Sequence, residues 1–333
     1  MSAATNVGGR LNGGGTTLAR LVRRNSWVLG LCGLLALLFV ITKAIQPAYG
    51  PSQVEALALA ALPVALAAAG QAIALISGGI DLSIGSVMAL TSVTAAVLMK
   101  GASEESAIFV VIGVLLMGLV IGAFNGSLVV LTRVPDIVVT LAMLYVWAGA
   151  ALLVLNTPGG ASAQWLRDLI DGTVLTEWAP KAIVLLLVVV FAIWIPVRNS
   201  RLGLSFYAVG SDRLAAFRSG VDVPRTKIAA YALTGLFAAM GGLSLTMSTG
   251  IGTPVPGPYL LASVAAVVLG GVSLAGGRGG LVGPIVAVFI LRLVRTDLTL
   301  LGIDPNYTTV IEGVIMVSVV MVGGLVALRS RGS

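Results

Sequence analysis

The chain has 333 residues, of which 58% are hydrophobic and only 10% are charged, and its mean hydropathy is +1.05. Soluble domains carry about 25% charged residues, so this composition excludes an ordinary soluble domain and predicts an integral membrane protein with many spans. A net charge of +7 would suggest nucleic acid as the partner of a soluble protein. In a membrane protein the basic residues are instead expected in the loops that set its orientation.

Some kinds of chemistry are excluded by residues that the chain lacks. It contains no histidine and a single cysteine, Cys32, in the first apolar segment. Disulfides within the chain and Ser-His or Cys-His catalysis are therefore impossible, and a transition-metal site is not expected. No Gly-Lys pair occurs, so the chain has no G-x-x-x-x-G-K-[ST] loop for ATP. We expect a protein that is not an enzyme and that needs no cofactor of its own.

Ten apolar segments follow a polar start. Residues 1–25 are predicted to be a disordered cytoplasmic tail, and residues 26–329 a transmembrane domain. The predicted spans are 27–42, 54–76, 84–99, 107–131, 137–155, 181–197, 228–248, 259–275, 280–297 and 308–327. Because a span needs about 20 residues, the segment at 84–99 is short and either crosses the membrane or is re-entrant. The predicted fold class is an all-α polytopic membrane protein with about ten transmembrane helices, some of them broken.

The distribution of the basic residues predicts the orientation of these spans. With both termini on the cytoplasmic side, fourteen of the 20 Lys and Arg residues fall in cytoplasmic segments. The six on the outer side or at outer span ends are Lys43, Lys100, Arg167, Lys181, Arg292 and Arg295. This excess of basic residues inside is what the positive-inside rule requires. The largest outer loop is then 156–180, and a short helix is predicted within it around Ala163–Ile170.

The longest polar run between apolar segments is 198–227, which reads RNSRLGLSFYAVGSDRLAAFRSGVDVPRTK. Within it Ser211 is predicted to cap a short helix, because its hydroxyl can accept a hydrogen bond from a free first-turn N–H. Asp212 places negative charge at the positive end of that helix, and Gly220 is a plausible stop just after it. The run therefore predicts a capped helix on a basic cytoplasmic loop. Alternatively, it is an ordinary loop that follows the charge bias.

A second interruption, GGIDLSIG at 78–85, separates two apolar segments. Adjacent glycines favour a helix break, and a break at membrane depth survives only where protein or a water-filled cavity satisfies the freed backbone groups. Asp81 is an ionisable residue in or near the membrane, which makes it a candidate for a solute pathway. Alternatively, Asp81 only caps the helix that begins at 83–85, and this second interpretation is favoured.

Polar and aromatic residues elsewhere in the spans are further candidates. Asn125 either lines a pathway or hydrogen-bonds a neighbouring helix, and the packing role is favoured. Tyr145 and Trp147 could stack on a sugar, although aromatic residues near the middle of a span more often belong to the core. Close helix packing is assigned to Gly122, Gly126, Gly235, Gly241 and Gly242.

The block GGIDLSIGS at 78–86 resembles the signature of the ribose/xylose-type permease family of ABC importers, and the resemblance covers the chain from about residue 50 onward. The fourth and fifth spans match through Asn125, Gly126, Leu128, Val129, Pro135, Ile137, Thr140 and Leu141. The cytoplasmic loop matches a form of the Ala-Ala…Gly coupling motif of ABC importers through Tyr207, Gly210, Ala215, Ala216 and Gly220. The late segments match through Gly270, Gly271, Gly276, Gly277, Gly280, Gly283, Gly302 and Gly313.

The resemblance implies a permease subunit that forms the translocation pathway for a monosaccharide or similar polyol. It also implies a second permease chain, identical or paralogous, an ATP-binding cassette subunit on the cytoplasmic side, and an extracytoplasmic substrate-binding protein. ATP is then used by the partner subunit, and the chain lies among lipids in the bacterial cytoplasmic membrane without a nucleic-acid partner. The residues expected to couple to the ATPase subunit are Ser211, Asp212, Arg213, Ala215, Ala216, Phe217, Arg218 and Gly220. Those expected along the pathway are Asp81, Ser83, Asn125, Thr140 and Tyr145.

At a few positions the chain departs from the pattern of the family. Asp136 stands where an uncharged residue is usual, Pro284 and Ala287 stand where Thr and Gly are expected, and Glu312 adds a charge to the last span. These departures weaken the transfer of a particular sugar but leave the architecture unchanged. An ABC permease for another small solute, such as an amino acid, is the alternative.

A secondary transporter and a membrane-embedded enzyme are the other functions to weigh. A secondary transporter needs ion-coupling carboxylates or broken helices near the membrane midplane. The acidic candidates all lie near span ends, and they are Asp81, Asp136, Asp297 and Glu312. An enzyme would need a nucleophile–base pair, and none is evident. The sequence therefore favours the ABC importer permease.

Overall fold

The structure, a computed structural model, describes residues 26–255 and 257–304 and, beyond them, positions 306–308, 310, 311, 313–315, 317, 318 and 321. The predicted tail at 1–25, Glu312 and the predicted end of the domain at 329 lie outside these residues. The helices are α1 Ser26–Ile45, α2 Pro51–Ile76, α3 Ile84–Met99, α4 Ala107–Thr132, α5 Asp136–Val154, α6 Gln164–Asp168, α7 Lys181–Asn199, α8 Arg201–Ser211, α9 Arg213–Arg218, α10 Val223–Thr249, α11 Tyr259–Leu269 and α12 Val282–Leu300. The described positions from 306 to 321 are also helical. Over the described part of the chain, β-structure is limited to isolated bridges, and the all-α fold class is confirmed.

Helix α2 forms the centre of the bundle. Its sequence is apolar on every side and rich in alanine, which is the pattern of a helix that is buried all round. Every residue from Ala61 to Ile76 is buried, because α10, α12, α11 and α7 pack around it. Pro51 occupies the first turn, where its missing N–H would have had no partner within the helix. The break that follows α2 is therefore held by the core of the protein.

Helix α10 crosses α4 at glycines that let the two backbones touch. A Cβ at Gly122 would collide with the carbonyl oxygen of Tyr231, and a Cβ at Gly235 would collide with that of Gly118. Small residues at such crossings allow the close approach on which helix association in membranes depends. The predicted packing role is confirmed for Gly122, Gly126, Gly235, Gly241 and Gly242.

Contacts at the two ends of the bundle show which connections lie together. At one end, the Glu104 carboxylate accepts a hydrogen bond from the backbone N–H of Gln164 at 3.0 Å. At the other end, Gly78 of the break packs against Gly210. We call the first the loop end, after the outer loop 156–180, and the second the break end, after the break at residues 78–83.

Helix α3 runs from the break end to the loop end. It follows the break directly, and near its far end the Ala96 carbonyl accepts from the Ala161 N–H of the outer loop at 2.9 Å. Its 16 residues make it about 24 Å long at 1.5 Å per residue, which is short for a span. Residues 84–99 therefore form one uninterrupted helix between the two ends of the bundle.

Within the described residues, six helices are long and apolar enough to cross a membrane, namely α1, α2, α4, α5, α7 and α10. Helices α3 and α11 are shorter, and α12 carries Arg292, Arg295 and Asp297. The predicted span at 259–275 ends early, at Leu269, because Gly271 turns the chain with a φ of +82°. Among the described residues, six of the ten predicted spans are therefore helices long and apolar enough to cross, and three others, α3, α11 and α12, are shorter or more polar.

Helix α1 begins at the break end. Its Trp27 indole N–H donates to the Leu269 carbonyl at 2.9 Å. Near its other end, the Lys43 ammonium lies 5.7 Å from the ring centroid of Trp178 in the outer loop. The first described helix thus starts at the same end as the polar run 198–227, as the predicted orientation requires.

The outer loop 156–180 contains the predicted short helix, which is observed as α6. The carboxylate of Glu104 accepts from the backbone N–H groups of Gln164 and Trp165, so it caps α6 from another part of the chain. The Glu55 carboxylate binds a second point of the loop, the N–H of Gly172. The loop is therefore fastened to the starts of α4 and α2.

Candidate functional site

The polar run 198–227 folds into two short helices and the start of a third. Helix α8 occupies positions where the sequence predicted a loop, and Ser200 caps it by accepting from the Gly203 N–H at 3.3 Å. The Tyr207 hydroxyl donates to the Gly279 carbonyl at 2.9 Å. Burial raises the pKa of this hydroxyl, although the nearby Arg198 lowers it, and the hydroxyl remains a donor at neutral pH. The run is more ordered than predicted and is fastened to the loop after α11.

Helix α9 begins one residue later than predicted. The Asp212 carboxylate accepts hydrogen bonds from the N–H groups of Leu214 at 2.8 Å and Ala215 at 2.9 Å, so Asp212 is the N-cap. The prediction of Ser211 as N-cap is wrong, since Ser211 is the last residue of α8 and packs on Gly277. A carboxylate at this position accepts two hydrogen bonds and also places its charge at the positive end of the helix.

The end of α9 confirms the predicted glycine stop. Gly220 has a φ of +83°, in the left-handed region that glycine adopts most easily. Its N–H donates to the Phe217 carbonyl, and the Val221 N–H donates to the Ala216 carbonyl, both at 3.0 Å. These two hydrogen bonds form a Schellman motif, which satisfies the free carbonyls at a helix end. The short helix is therefore fixed at both ends by its own sequence.

Helix α9 turns its larger apolar side chains outward. Leu214 is 57% exposed and Phe217 is 66% exposed, whereas Ala216 is buried. Arg213 and Arg218 are also exposed. An exposed aromatic side chain with arginines beside it is typical of a surface that another protein covers. We call residues 211–220, which include every predicted coupling residue, the docking segment.

At the break, four side chains form a continuous chain of hydrogen bonds. The Asp81 carboxylate accepts from the N–H of Ser83 at 2.8 Å and from its hydroxyl at 2.6 Å. The Ser83 hydroxyl oxygen accepts from Asn125 Nδ2 at 2.8 Å, and Asn125 Oδ1 accepts from Trp147 Nε1 at 3.1 Å. Asp81 thus caps the turn that leads into α3, and Asn125 links helices α3, α4 and α5. These are the contacts expected from the capping role favoured for Asp81 and the packing role favoured for Asn125.

Of the other two predicted pathway residues, Thr140 lies at the break and Tyr145 does not. The Thr140 hydroxyl lies 3.2 Å from the Ile80 carbonyl and 2.8 Å from the Asp136 carbonyl. Tyr145 is 71% exposed on the outside of α5. The structure therefore brings four of the predicted residues to one place, and they are Asp81, Ser83, Asn125 and Thr140.

An ion pair between a buried lysine and a partly buried aspartate also lies at this site, and it was not predicted from the sequence. Lys227, which was counted as a loop residue, lies near the start of α10 and is fully buried. Its ammonium donates to the Asp136 carboxylate at 2.5 Å and to the Gly78 carbonyl at 3.0 Å. The sequence does contain an indication of this pair, because the acidic Asp136 begins one span and the basic Lys227 lies near the start of another. Their separation of 91 positions hides the pairing in the sequence.

A cavity of about 380 Å³ opens between the docking segment and the start of α5. Its lining includes Arg133 and Arg213 together with the Asp136 carboxylate of the ion pair. No cluster of residues suited to holding a metal ion occurs in the described part of the chain. The site therefore offers hydrogen-bonding groups and charges, which can bind and position partners.

The sequence matches a known family of transport proteins over most of its length. Residues 53–320 match the permease component of branched-chain amino acid transport systems, and the chain belongs to this family. It is a multi-pass membrane protein and the permease subunit of an ABC importer, not an enzyme. Such a permease works with an ATP-binding subunit and a substrate-binding protein.

Two relatives from Escherichia coli strain K12 illustrate the similarity. The chain is 33% identical to the ribose import permease protein RbsC over 262 aligned residues. This alignment covers 78% of this chain and 81% of the relative. The chain is 29% identical to the autoinducer 2 import system permease protein LsrD over 325 aligned residues, which make up 92% of this chain and 94% of the relative. No solved structure matches the chain. The resemblance to ribose-type permeases is confirmed.

Proposed function

We propose that this permease forms the translocation pathway for a monosaccharide or a similar polyol, driven by a separate ATP-binding cassette subunit. The relative that is 33% identical imports ribose, as its name states. The chain itself supplies the pathway and the docking surfaces, and the partner subunit hydrolyses ATP. Affinity for the solute resides largely in the substrate-binding protein, so few specific groups are needed along the pathway.

The observation that carries the choice of solute is that each charged group at the break is already bound within the protein. Lys227 and Asp136 compensate each other, and the Asp81 carboxylate is bound by Ser83. The remaining polar groups at the break are neutral, like the amide of Asn125. A charged or zwitterionic solute would need compensating charges along its route, whereas hydroxyl and amide groups suit a polyol.

The ATP-binding subunit docks on residues 211–220 in this proposal. The apolar side chains of Leu214 and Phe217 enter a groove of that subunit, because these are the larger exposed apolar groups of α9. Arg213 and Arg218 lie at the rim of the contact, where charge affects the association rate more than the affinity. The two fixed ends of α9 present this surface without further ordering.

The remaining partners are assigned to the loop end and to the exposed sides of the bundle. The loop end, with the outer loop 156–180, receives the substrate-binding protein. A second permease chain, identical or paralogous, completes the pathway, and the exposed apolar faces of α4, α5 and α7 lie against this chain or against lipid. The assembly lies in the bacterial cytoplasmic membrane with both termini cytoplasmic. It has no cofactor in this chain and no nucleic-acid partner.

Import of an amino acid is the competing function, because the family description names branched-chain amino acids. Uptake assays distinguish sugar import from amino acid import. They use proteoliposomes that hold the permease, its ATP-binding subunit and its binding protein. We expect ATP-dependent accumulation of a radiolabelled monosaccharide from a panel that includes ribose, xylose and galactose, and no accumulation of leucine. Accumulation of leucine without any monosaccharide would reassign the solute. Uptake that follows an ion gradient without ATP would contradict the proposed source of energy.

A further inference from the structure

One ion pair, between a buried lysine and an aspartate whose side chain is 15% exposed, lies where three distant parts of the chain meet. The Lys227 ammonium binds the Asp136 carboxylate at 2.5 Å and the Gly78 carbonyl at 3.0 Å. Lys227 belongs to α10, Asp136 is the first residue of α5, and Gly78 belongs to the break. A single ammonium group therefore fixes the positions of two helix starts and of the break.

The Tyr231 hydroxyl, one turn further along α10, tightens the same junction. It lies 3.0 Å from the Asp136 carboxylate and 3.2 Å from the Ile80 carbonyl. A Cβ at Gly79 would meet both the Asp136 carboxylate and the Tyr231 hydroxyl. Because the break is pressed directly against these groups, a shift of α10 or α5 displaces the break as well.

The docking segment is attached to this break on both of its sides. Gly210, which immediately precedes the segment, packs on the backbone of Gly78, and a Cβ at Gly210 would collide with the Ile76 carbonyl oxygen. Shortly after the segment, α10 begins and its Lys227 reaches the same break. Force applied to α9 therefore has two short routes to the break, one by backbone contact and one through the ion pair.

The energetics of buried charges indicate what the pair contributes. The cost of removing two charges from water is about as large as their mutual attraction in the interior, and an apolar pair of similar size is often as stable. A charge-assisted hydrogen bond is nevertheless short and directional, so it holds its partners at one separation. The pair therefore contributes position more than stability.

We propose that Lys227 and Asp136 are a positioning pair that transmits movement of the docking segment to the break, a role that rests on the proposed docking of the ATP-binding subunit. From the break the movement passes through the hydrogen bonds of Ser83, Asn125 and Trp147 into helices α3, α4 and α5. The pair does not touch the solute; it acts through the backbone of the break. Loss of the ion pair uncouples ATP hydrolysis from solute transport.

The test removes both charges together, so that no lone charge stays buried in the reconstituted complex. The double variant Lys227→Met and Asp136→Leu roughly keeps the volumes of the two side chains and is expected to assemble. We expect its solute uptake per ATP hydrolysed to fall about tenfold, an effect typical of energetic coupling between sites. Lys227→Arg keeps the charge and the hydrogen-bond donors, and it should retain most of the uptake per ATP.

The matched control is an exposed ion pair on the same helix. Arg225 pairs with Asp222 at 3.2 Å, and its side chain is largely exposed, so Arg225→Met should leave the uptake per ATP unchanged. Normal uptake per ATP in the double variant would overturn the proposal and leave the pair a purely structural role. Should that variant fail to assemble, Asp136→Asn is judged by the same ratio. Absence of ATP-dependent uptake in the unmodified complex would instead refute the proposed function.

Discussion

The docking segment and the break are held in place by different means. The docking segment is fixed by its own residues, with Asp212 at its start and Gly220 at its end, and its larger side chains face outward. The break is fixed by residues from other helices, such as Asn125 and Lys227, and its polar side chains Asp81 and Ser83 are buried. The proposed surface for a partner protein thus consists of a few consecutive residues. The proposed junction that transmits movement consists of residues far apart in the sequence.

The largest expected difference between the two regions concerns the glycines that flank α9. Gly210→Ala should lower the free energy of unfolding by about 3 kcal/mol, because the added methyl group overlaps a backbone carbonyl that has little freedom to move. Gly220→Ala should cost about 1 kcal/mol, since only its positive φ opposes the change and the space around it is open. Thermal unfolding of the purified protein in detergent, followed by tryptophan fluorescence, measures both. Equal losses for the two variants would contradict the distinction between the regions.

The hydrogen-bonded chain at the break should show an intermediate effect. Asn125→Leu leaves the Trp147 indole N–H without its acceptor and removes the hydrogen bond that the Ser83 hydroxyl accepts, although this hydroxyl still donates to Asp81. We expect a loss of about 2 kcal/mol in the free energy of unfolding. The same unfolding assay measures it. Asn199→Leu, at the exposed end of α7, is the matched control and should change stability by less than about 0.5 kcal/mol. Similar losses of stability for the two variants would mean that the buried hydrogen bonds of Asn125 contribute no more than an exposed side chain does.

The smallest effect is expected at Asp81. The amide oxygen of asparagine can accept from both groups of Ser83 that now bind the carboxylate, and asparagine caps helices about as well as aspartate. Asp81→Asn should therefore leave both membrane abundance and solute uptake nearly unchanged, whereas Asp81→Ala should cost about 1 kcal/mol of stability. Uptake assays with immunoblots for abundance check this pair. Loss of uptake in Asp81→Asn at normal abundance would show that the charge itself serves the pathway.

Features set by short stretches of sequence were predicted from the sequence. The apolar segments, the break at 78–83 and the glycine stop at Gly220 depend on local composition and on the backbone freedom of glycine. Close packing at Gly122 could also be predicted, since small residues in an apolar span have few other roles. These features are local, and the structure confirms them.

Features that depend on tertiary contacts were not predicted. Helix α8 buries Phe206 and Val209 on one face, and a short helix in a polar run depends on such packing for its stability. The pairing of Lys227 with Asp136 requires knowing that α10 and α5 begin side by side. The cap was placed one residue early because Ser211 and Asp212 are both good capping residues, and only the backbone decides between them.

The most direct test of the account is the amount of ATP-binding subunit that purifies with the permease when Phe217 is truncated. We predict that Phe217→Ala weakens docking by about 2 kcal/mol, roughly thirtyfold in affinity, as expected for an aromatic side chain at the centre of an interface. Phe109→Ala, which removes a similarly exposed phenylalanine near the start of α4, should leave the complex intact. Full retention of the ATP-binding subunit and normal uptake in Phe217→Ala would contradict the assignment of residues 211–220 as its docking site.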